Sequence, residues 1–394
     1  MVNHKILLQK LQFYGVCNNE LNWFKSYLSN RSQYVTIDNY KSDLKPIVSG
    51  VPQGSILGPL LFLIYINDIN SASKFFKAIL FADDSTLGTT ICFEKYPAQI
   101  HKTCNKIGHQ SIINNELNKI LIWLRANKLS LNVKKTKYMI FHNPQRQIHA
   151  NDIPKISIDN KEIERVDEFK FLGITINKHC TWKNHLFYTS KTISKNIGLL
   201  SKLKYQLPKY CLKLIYFALV HPYLNYGILL WGFEAHNIFK LQKKAIRVLT
   251  KSHFLAHTDP LFKIEKILKV EDIFKVSCLK LYYKLIYNQV PKRIKILFNF
   301  NNPRHFQFNG DFKLVHFICN DAKGKQRIRY YLPKLIQDTE VHILRKTLDL
   351  SIIAFKSYIK SYFLSKYNDT PCEDLNCYAC NSMLYHFALT QQID

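Results

Sequence analysis

Ser49-Gly-Val-Pro-Gln-Gly-Ser-Ile-Leu-Gly-Pro-Leu-Leu-Phe62, followed by Ala78-Ile-Leu-Phe-Ala-Asp-Asp84, is the stretch that decides the fold. The first run crowds Gly50, Pro52, Gly54, Gly58 and Pro59 together. Glycine lets backbone approach a ligand closely, proline stiffens the loop, and Gln53 offers an amide at its crown. A bare turn before a helix does not need all of these at once. In the second run the apolar strand Ala78–Ala82 leads into Asp83 and Asp84, and Ser85–Thr90 reads as the returning strand, so the carboxylates stand at a hairpin tip. Adjacent carboxylates repel unless a divalent cation is bound, and Mg²⁺ takes one or two carboxylates together with substrate phosphates. Asp is also a common turn residue. The pair alone therefore reads as structural, and the loop upstream reverses that reading.

Outward from this stretch, residues 5–29 read as two short helices broken at Gly15–Asn19. Tyr34–Ile37 is a short β run, and Leu60–Ile69 reads as a helix packed into the core. Apolar residues at helical spacing predict a helix over Ile112–Asn127. Tyr138–Phe141 and Phe169–Ile176 read as strands. From Trp182 onward the pattern turns helical and basic, with helices near 184–204, 209–221, 235–251 and 272–288. The pattern is α+β, built on an antiparallel sheet. It divides into residues 1–175, a helical basic segment 176–290, and a C-terminal region 291–394 closed by a Cys-rich tail.

Composition points to a polyanionic partner. The 394 residues carry 56 Lys and Arg against 28 Asp and Glu, a formal net charge of +28. Such an excess repels itself in a compact state unless a polyanion shares the surface. Residues 176–290 hold 19 basic and 5 acidic side chains, against 22 and 14 in residues 1–175, so the middle segment is the electrostatic footprint. An anionic membrane is the weaker alternative. The longest apolar run, Ile56–Ile66, is broken by Gly58 and Pro59 and is far short of the ~20 residues that span a bilayer. No apolar leader follows Met1, and the scattered cysteines read as reduced thiols. The expected setting is nucleus or cytoplasm.

Ser49–Ser55 with Phe81-Ala-Asp-Asp84 resembles the reverse transcriptases of non-LTR retrotransposons, jockey-like elements above all. The resemblance continues through Asn127–Asn132 with Lys135-Thr-Lys137, which is similar to the fourth palm motif. Phe169–Ile174 looks like the primer-grip hairpin, and Trp182–His185 and Pro222–Gly232 look like thumb signatures. It implies a right-hand polymerase: a palm of antiparallel sheet with helices, an all-helical thumb and a C-terminal extension. It implies RNA-directed DNA synthesis by two Mg²⁺ ions, with RNA template, DNA primer and deoxynucleoside triphosphates as partners. By the same resemblance Asp83 and Asp84 are metal ligands, and Gly50, Pro52, Gln53 and Gly54 position template and incoming nucleotide. Lys135 stands near the triphosphate, unless it is only a solvated lysine beside Lys134 and Lys137. Phe171, Leu172 and Gly173 support the primer end. In this family Val2–Leu8 follows a strand bearing the first catalytic aspartate. The chain by itself is therefore expected not to polymerise, with a non-catalytic nucleic-acid-binding remnant as the alternative. No endonuclease segment is recognisable, and oligomeric state stays open.

Two further patterns stand beside the resemblance. Lys240, Lys244, Arg247 and Lys251 recur at helical spacing on one face, opposite Leu241, Ala245 and Val248; Lys191, Lys195 and Lys202 repeat the arrangement one helix earlier. A charge stripe is usually a solvated face. Beside a polymerase palm it reads as a track for a nucleic-acid backbone. Cys372, Cys377, Cys380 and His386 supply four ligands, the number a tetrahedral zinc takes. Clustered reduced thiols are the alternative.

Overall fold

Asn3 starts the first helix by geometry that its residue type favours: its backbone is extended and its Oδ1 accepts the Ile6 N–H at 3.2 Å. The helix His4–Phe13 then buries Leu7 and Leu11, one turn apart. Gly15, at φ +92°, breaks the chain before the helix Asn18–Leu28, as the sequence predicts. The computed structural model describes residues 2–90, 106–145, 153–298 and 327–367, in two compact units, Met1–Asp167 and Glu168–Asp394.

In the first unit these two helices close around the helix Leu57–Ile66 through Leu7, Leu11, Leu28, Leu61 and Tyr65. This third helix begins and ends earlier than the sequence suggests. Pro59 fits its first turn, where the missing N–H costs nothing, and the chain tightens into a 3₁₀ turn, Asn67–Ser71. Leu60 and Leu63 are about half exposed, so only one side of it is core. The helix Lys106–Ala126 carries two small cores. Ile113 and Leu117 hold the ladder Ser157–Ile158/Lys161–Glu162, while Ile120 and Trp123 hold the hairpin Lys77–Phe81/Asp84–Gly88.

The expected α+β character is present, with the small antiparallel sheet divided into short ladders among the described residues. They make six separate two-stranded ladders, five antiparallel and one parallel. The parallel ladder joins Lys137–Tyr138 to Glu164–Arg165, so only the first part of the expected strand Tyr138–Phe141 is paired. The expected strand Phe169–Ile176 is a hairpin, Glu168–Phe171 with Ile174–Asn177, because Leu172 and Gly173 both adopt positive φ, 45° and 81°. Two consecutive left-handed residues make a two-residue hairpin turn, a device that alternation along a strand does not reveal.

The second unit is helical. Lys183–Leu203, Lys209–Leu219, His236–Leu249 and Val270–Ile286 occupy the expected stretches, with the short helices His221–Asn225 and Ile228–Trp231 between them. Val270–Ile286 buries Val270, Ile273, Phe274, Val276, Leu279, Tyr282 and Leu285. A helix apolar over so much of its circumference needs cover on several sides. Part of that cover comes from Ile328–Asp338 and Ile352–Ser365, whose Leu332, Phe355 and Ile359 join the same core. Among the described residues no helix is long and apolar enough to cross a membrane.

Candidate functional site

The carboxylate pair is set by strand register. Phe81 lies opposite Asp84, leaving Ala82 and Asp83 as the two-residue turn. Ala82 has φ +51°, uncommon for a residue with a Cβ. Asp83 is thus the turn residue and Asp84 opens the return strand; both are exposed. Alternation sends Ala78, Leu80 and Leu87 toward Ile69 and Ile120, and leaves Phe81 and Ile79 in solvent. The hairpin is anchored where Asn70 Oδ1 accepts the Ala78 N–H at 3.0 Å. Asn70 belongs to the 3₁₀ turn that continues the third helix, so loop, helix, turn and hairpin form one connected frame. In that frame Asp68 is already committed: it accepts Lys10 Nζ at 2.5 Å and Trp123 Nε1 at 3.4 Å. Lys10 also donates to the Tyr65 carbonyl and lies over the Tyr65 and Trp123 rings.

Among the described residues no three His, Cys, Asp or Glu side chains gather as a metal site. Two exposed carboxylates on a tight turn nonetheless fit the protein's share of a Mg²⁺ site, since that ion keeps waters and substrate phosphates for its other positions.

The glycine loop is held from both ends. The Gly50 N–H donates to the Val2 carbonyl at 2.7 Å, and His4 Nε2 donates to the Gly50 carbonyl at 2.7 Å. Gly50 does this at φ +94°. At the other end Ser55 Oγ donates to the Pro52 carbonyl at 2.8 Å and accepts the Gly58 N–H at 3.0 Å. A Cβ on Gly58 would stand 2.7 Å from the Pro52 carbonyl oxygen, so the return of the loop onto the helix start requires glycine. Gln53 and Gly54 are exposed at the crown, and Pro52 is half-buried beneath them.

Lys135 ends a one-turn 3₁₀ helix capped by Asn132, whose Oδ1 accepts the Lys135 N–H at 3.2 Å. Its side chain is exposed, and the open cleft beside it, about 900 Å³, is lined by Lys134, Lys137 and Lys161 rather than by Lys135. Lys137 is paired with Glu164.

In the second unit the Phe171–Gly173 turn is braced by Tyr226 and Trp231 of the Pro222–Gly232 run. Tyr226 donates its hydroxyl to the Leu172 carbonyl, and its ring would lie 3.2 Å from a Cβ on Gly173. Trp231, fully buried, donates Nε1 to the Tyr226 carbonyl at 3.0 Å. Gly227, at φ +64°, admits the Ile174 side chain, and Gly232 admits the Phe274 ring. The Tyr-Gly…Trp-Gly spacing of Pro222–Gly232 is therefore the signal that marks the brace. His185 Nδ1 accepts the Thr175 N–H at 3.4 Å; burial, with the nearby Lys170, pushes its pKa down. Glu168 accepts from Asn184 and from the Tyr188 hydroxyl.

The basic stripe is only partly a surface. Lys240, Lys244, Lys191, Lys195 and Lys202 are exposed. Arg247 is not free: its Nε donates to the Ala256 carbonyl at 2.8 Å, and burial pushes its pKa down. Lys251 lies past the helix end at φ +56°, with the Ser252 N–H returning to the Arg247 carbonyl, so it leaves the face. Within the same helix Gln242, a polar residue that the charge spacing does not single out, is fully buried; it donates to Tyr216 Oη and the Leu268 carbonyl and accepts the Val270 N–H at 2.7 Å. Cys372, Cys377, Cys380 and His386 lie outside the described residues.

Comparison with known proteins agrees with the resemblance read from the sequence. Residues 1–176 match the family model described as reverse transcriptase (RNA-dependent DNA polymerase). The chain is 26% identical over 255 residues to the RNA-directed DNA polymerase from mobile element jockey of Drosophila melanogaster, covering 63% of this chain and 27% of that protein. It is 25% identical over 268 residues to the jockey protein of Drosophila funebris, covering 66% and 28%. It is 27% identical over 253 residues to the probable RNA-directed DNA polymerase from transposon BS of Drosophila melanogaster, covering 60% and 25%. The chain thus aligns with about a quarter of the length of these relatives.

Proposed function

We propose that this chain, a jockey-like non-LTR reverse transcriptase by its first 176 residues and its relatives, takes part in RNA-directed DNA synthesis, extending a primer 3′ hydroxyl with deoxynucleoside triphosphates. The observation that carries the reading is the exposed Asp83–Asp84 pair on a two-residue turn, in one frame with the glycine-held loop 49–58. In this reading the first unit is the palm and the second the thumb with its C-terminal extension. Asp83 and Asp84 hold Mg²⁺, which when bound supplies charge stabilisation to the transferring phosphoryl group. Gly50 and Gly54 bring backbone close to the template and incoming nucleotide, and Gln53 offers its amide there. The Phe171–Gly173 turn, stiffened by Tyr226, supports the primer end. Exposed Lys240 and Lys244 contact the backbone. Lys135 stays a weaker member, since it does not line the cleft beside it.

Binding without synthesis is the second reading. It is favoured by one observation: among the described residues no third acidic side chain stands with Asp83 and Asp84. Two-ion chemistry takes its geometry from carboxylates that hold both ions. Primer extension on an RNA template with Mg²⁺ separates the two. Extension that disappears in Asp83→Ala supports synthesis. Salt-dependent binding of the hybrid, with no extension by the chain or by Asp83→Ala, supports the second reading.

A further inference from the structure

The helix Ile352–Ser365 lies beyond the stretch matched by the reverse transcriptase family model, yet it is fastened to the centre of the second unit. Phe355 stacks on Tyr283 at 5.5 Å, and the Tyr283 hydroxyl donates to the Leu350 carbonyl at 2.9 Å. Just past the helix end, Tyr367 donates to Asp272 Oδ2 at 2.6 Å and accepts the Lys269 N–H at 2.9 Å. These contacts lay Ile352–Ser365 along Val270–Ile286. The helix Val270–Ile286 packs on both Ile352–Ser365 and His221–Asn225, so that Lys356 faces Lys280, and Lys356 and Lys360, one turn apart, face His221.

This cluster is not neutralised. Among the described residues Lys280, Lys356, Lys360 and His221 have no ion pair. The helices Lys209–Leu219, His221–Asn225 and Ile352–Ser365 contain no acidic residue, and Val270–Ile286 has acids only in its first turn, Glu271 and Asp272. Of the buried carboxylates in this unit, Glu265 is already taken by Lys209 and Lys213, and Asp272 by Lys275 and the Tyr367 hydroxyl. Burial first, and then mutual repulsion among Lys213, Lys266, Lys284, Lys356 and Lys360, holds the pKa of Lys280, Lys360 and His221 down. Beside His221, at 5.1 Å between ring centroids, Phe217 is 39% exposed.

Lysines from two helices, with the uncharged imidazole of His221 from a third, repel one another without a counter-ion, and a polyanion at this surface would relieve that repulsion. An exposed aromatic beside them suits a nucleobase, since cationic grooves with stacking platforms are how single strands are held. We propose that His221, Lys280, Lys356 and Lys360 form a phosphate-binding cradle, with Phe217 as its stacking platform, in which the helix Ile352–Ser365 helps to hold a single-stranded segment of nucleic acid.

The proposal rests on the nucleic-acid reading above, and its test separates the two. The full chain, the triple variant Lys280→Gln/Lys356→Gln/Lys360→Gln and the stripe variant Lys240→Gln/Lys244→Gln are titrated against labelled single-stranded RNA between about 50 and 200 mM salt. Each lost phosphate contact lowers the log–log slope by about 0.7, so the triple variant is expected to lose about 2 from it. Its unfolding midpoint is expected to stay level or rise, because repulsion is removed. Phe217→Leu is expected to weaken binding with the slope unchanged. A folded triple variant with the slope of the full chain would overturn the cradle. So would displacement of the RNA as readily by inorganic tripolyphosphate or by poly-glutamate of equal charge. If the full chain shows no salt-dependent binding, the polymerase reading falls and takes the cradle with it. If only the stripe variant responds, the cradle falls alone.

Discussion

Replacing Gly227 by alanine tests the brace under the Phe171–Gly173 turn. Gly227 sits at φ +64°, and a Cβ there would stand 2.6 Å from Ile174 Cδ1. The left-handed backbone costs an L-residue about 1–2 kcal/mol. Forcing a methyl into the filled space costs about 1–3 kcal/mol more. Gly227→Ala is therefore expected to destabilise the second unit by about 3 kcal/mol. Ile174, 7% exposed, is the atom donor in the clash. Ile174→Val removes Cδ1 and alone costs about 0.5–1.5 kcal/mol. In the double variant the clash is gone and only the backbone term remains, so the pair is expected to be better than additive by at least about 1 kcal/mol. The assay is urea unfolding followed by hydrogen–deuterium exchange on peptides from residues 168–177 and 222–232, which keeps the second unit's transition apart from the first's. Additivity within about 0.5 kcal/mol would refute the packing argument. Primer extension by Gly227→Ala is expected to fall together with protection of the turn.

Lys240→Gln/Lys244→Gln is expected to reduce the salt slope of nucleic-acid binding by about 1.5 with little change in stability, whereas Arg247→Gln, which removes the bond to the Ala256 carbonyl, is expected to lower the melting temperature instead; anisotropy and thermal unfolding read the two. His185 and His221 both have folded-state pKa values pushed below the ordinary histidine value by burial and by nearby lysines. The unfolded chain then binds more protons as pH falls below about 6.5, so stability of the second unit drops on acidification through that region, and His185→Gln/His221→Gln flattens the decline. A melting temperature independent of pH between about 7 and 5 would count against the burial of both rings. If Cys372, Cys377, Cys380 and His386 hold zinc, protein purified under reducing conditions carries about one equivalent by elemental analysis, and Cys377→Ser/Cys380→Ser carries none.

Local chemistry was legible in the sequence. The glycine loop, the carboxylates at a hairpin tip and the main basic helices depend on residues within one or two turns of each other, and those elements formed where periodicity and turn residues put them. What the chain did with its distant partners was not legible. Asp68 is taken by Lys10 at a separation of 58 residues, and the Leu172 turn is braced by Tyr226 at a separation of 54. Arg247 has the spacing of a surface stripe but turns to the Ala256 carbonyl, because the next loop folds back over the helix end. The ladder of Lys137–Tyr138 is parallel because its partner arrives from Glu164–Arg165 after an excursion that no strand pattern encodes. Lys356 and Lys360 look like ordinary solvated lysines on a late helix; only the packing of that helix, with Phe355 stacked on Tyr283, brings Lys356 near Lys280 and both lysines near His221. Periodicity reports which side of an element is apolar. Which element covers that side is decided by packing among residues far apart in the chain, and there the tertiary structure alone assigns the partners.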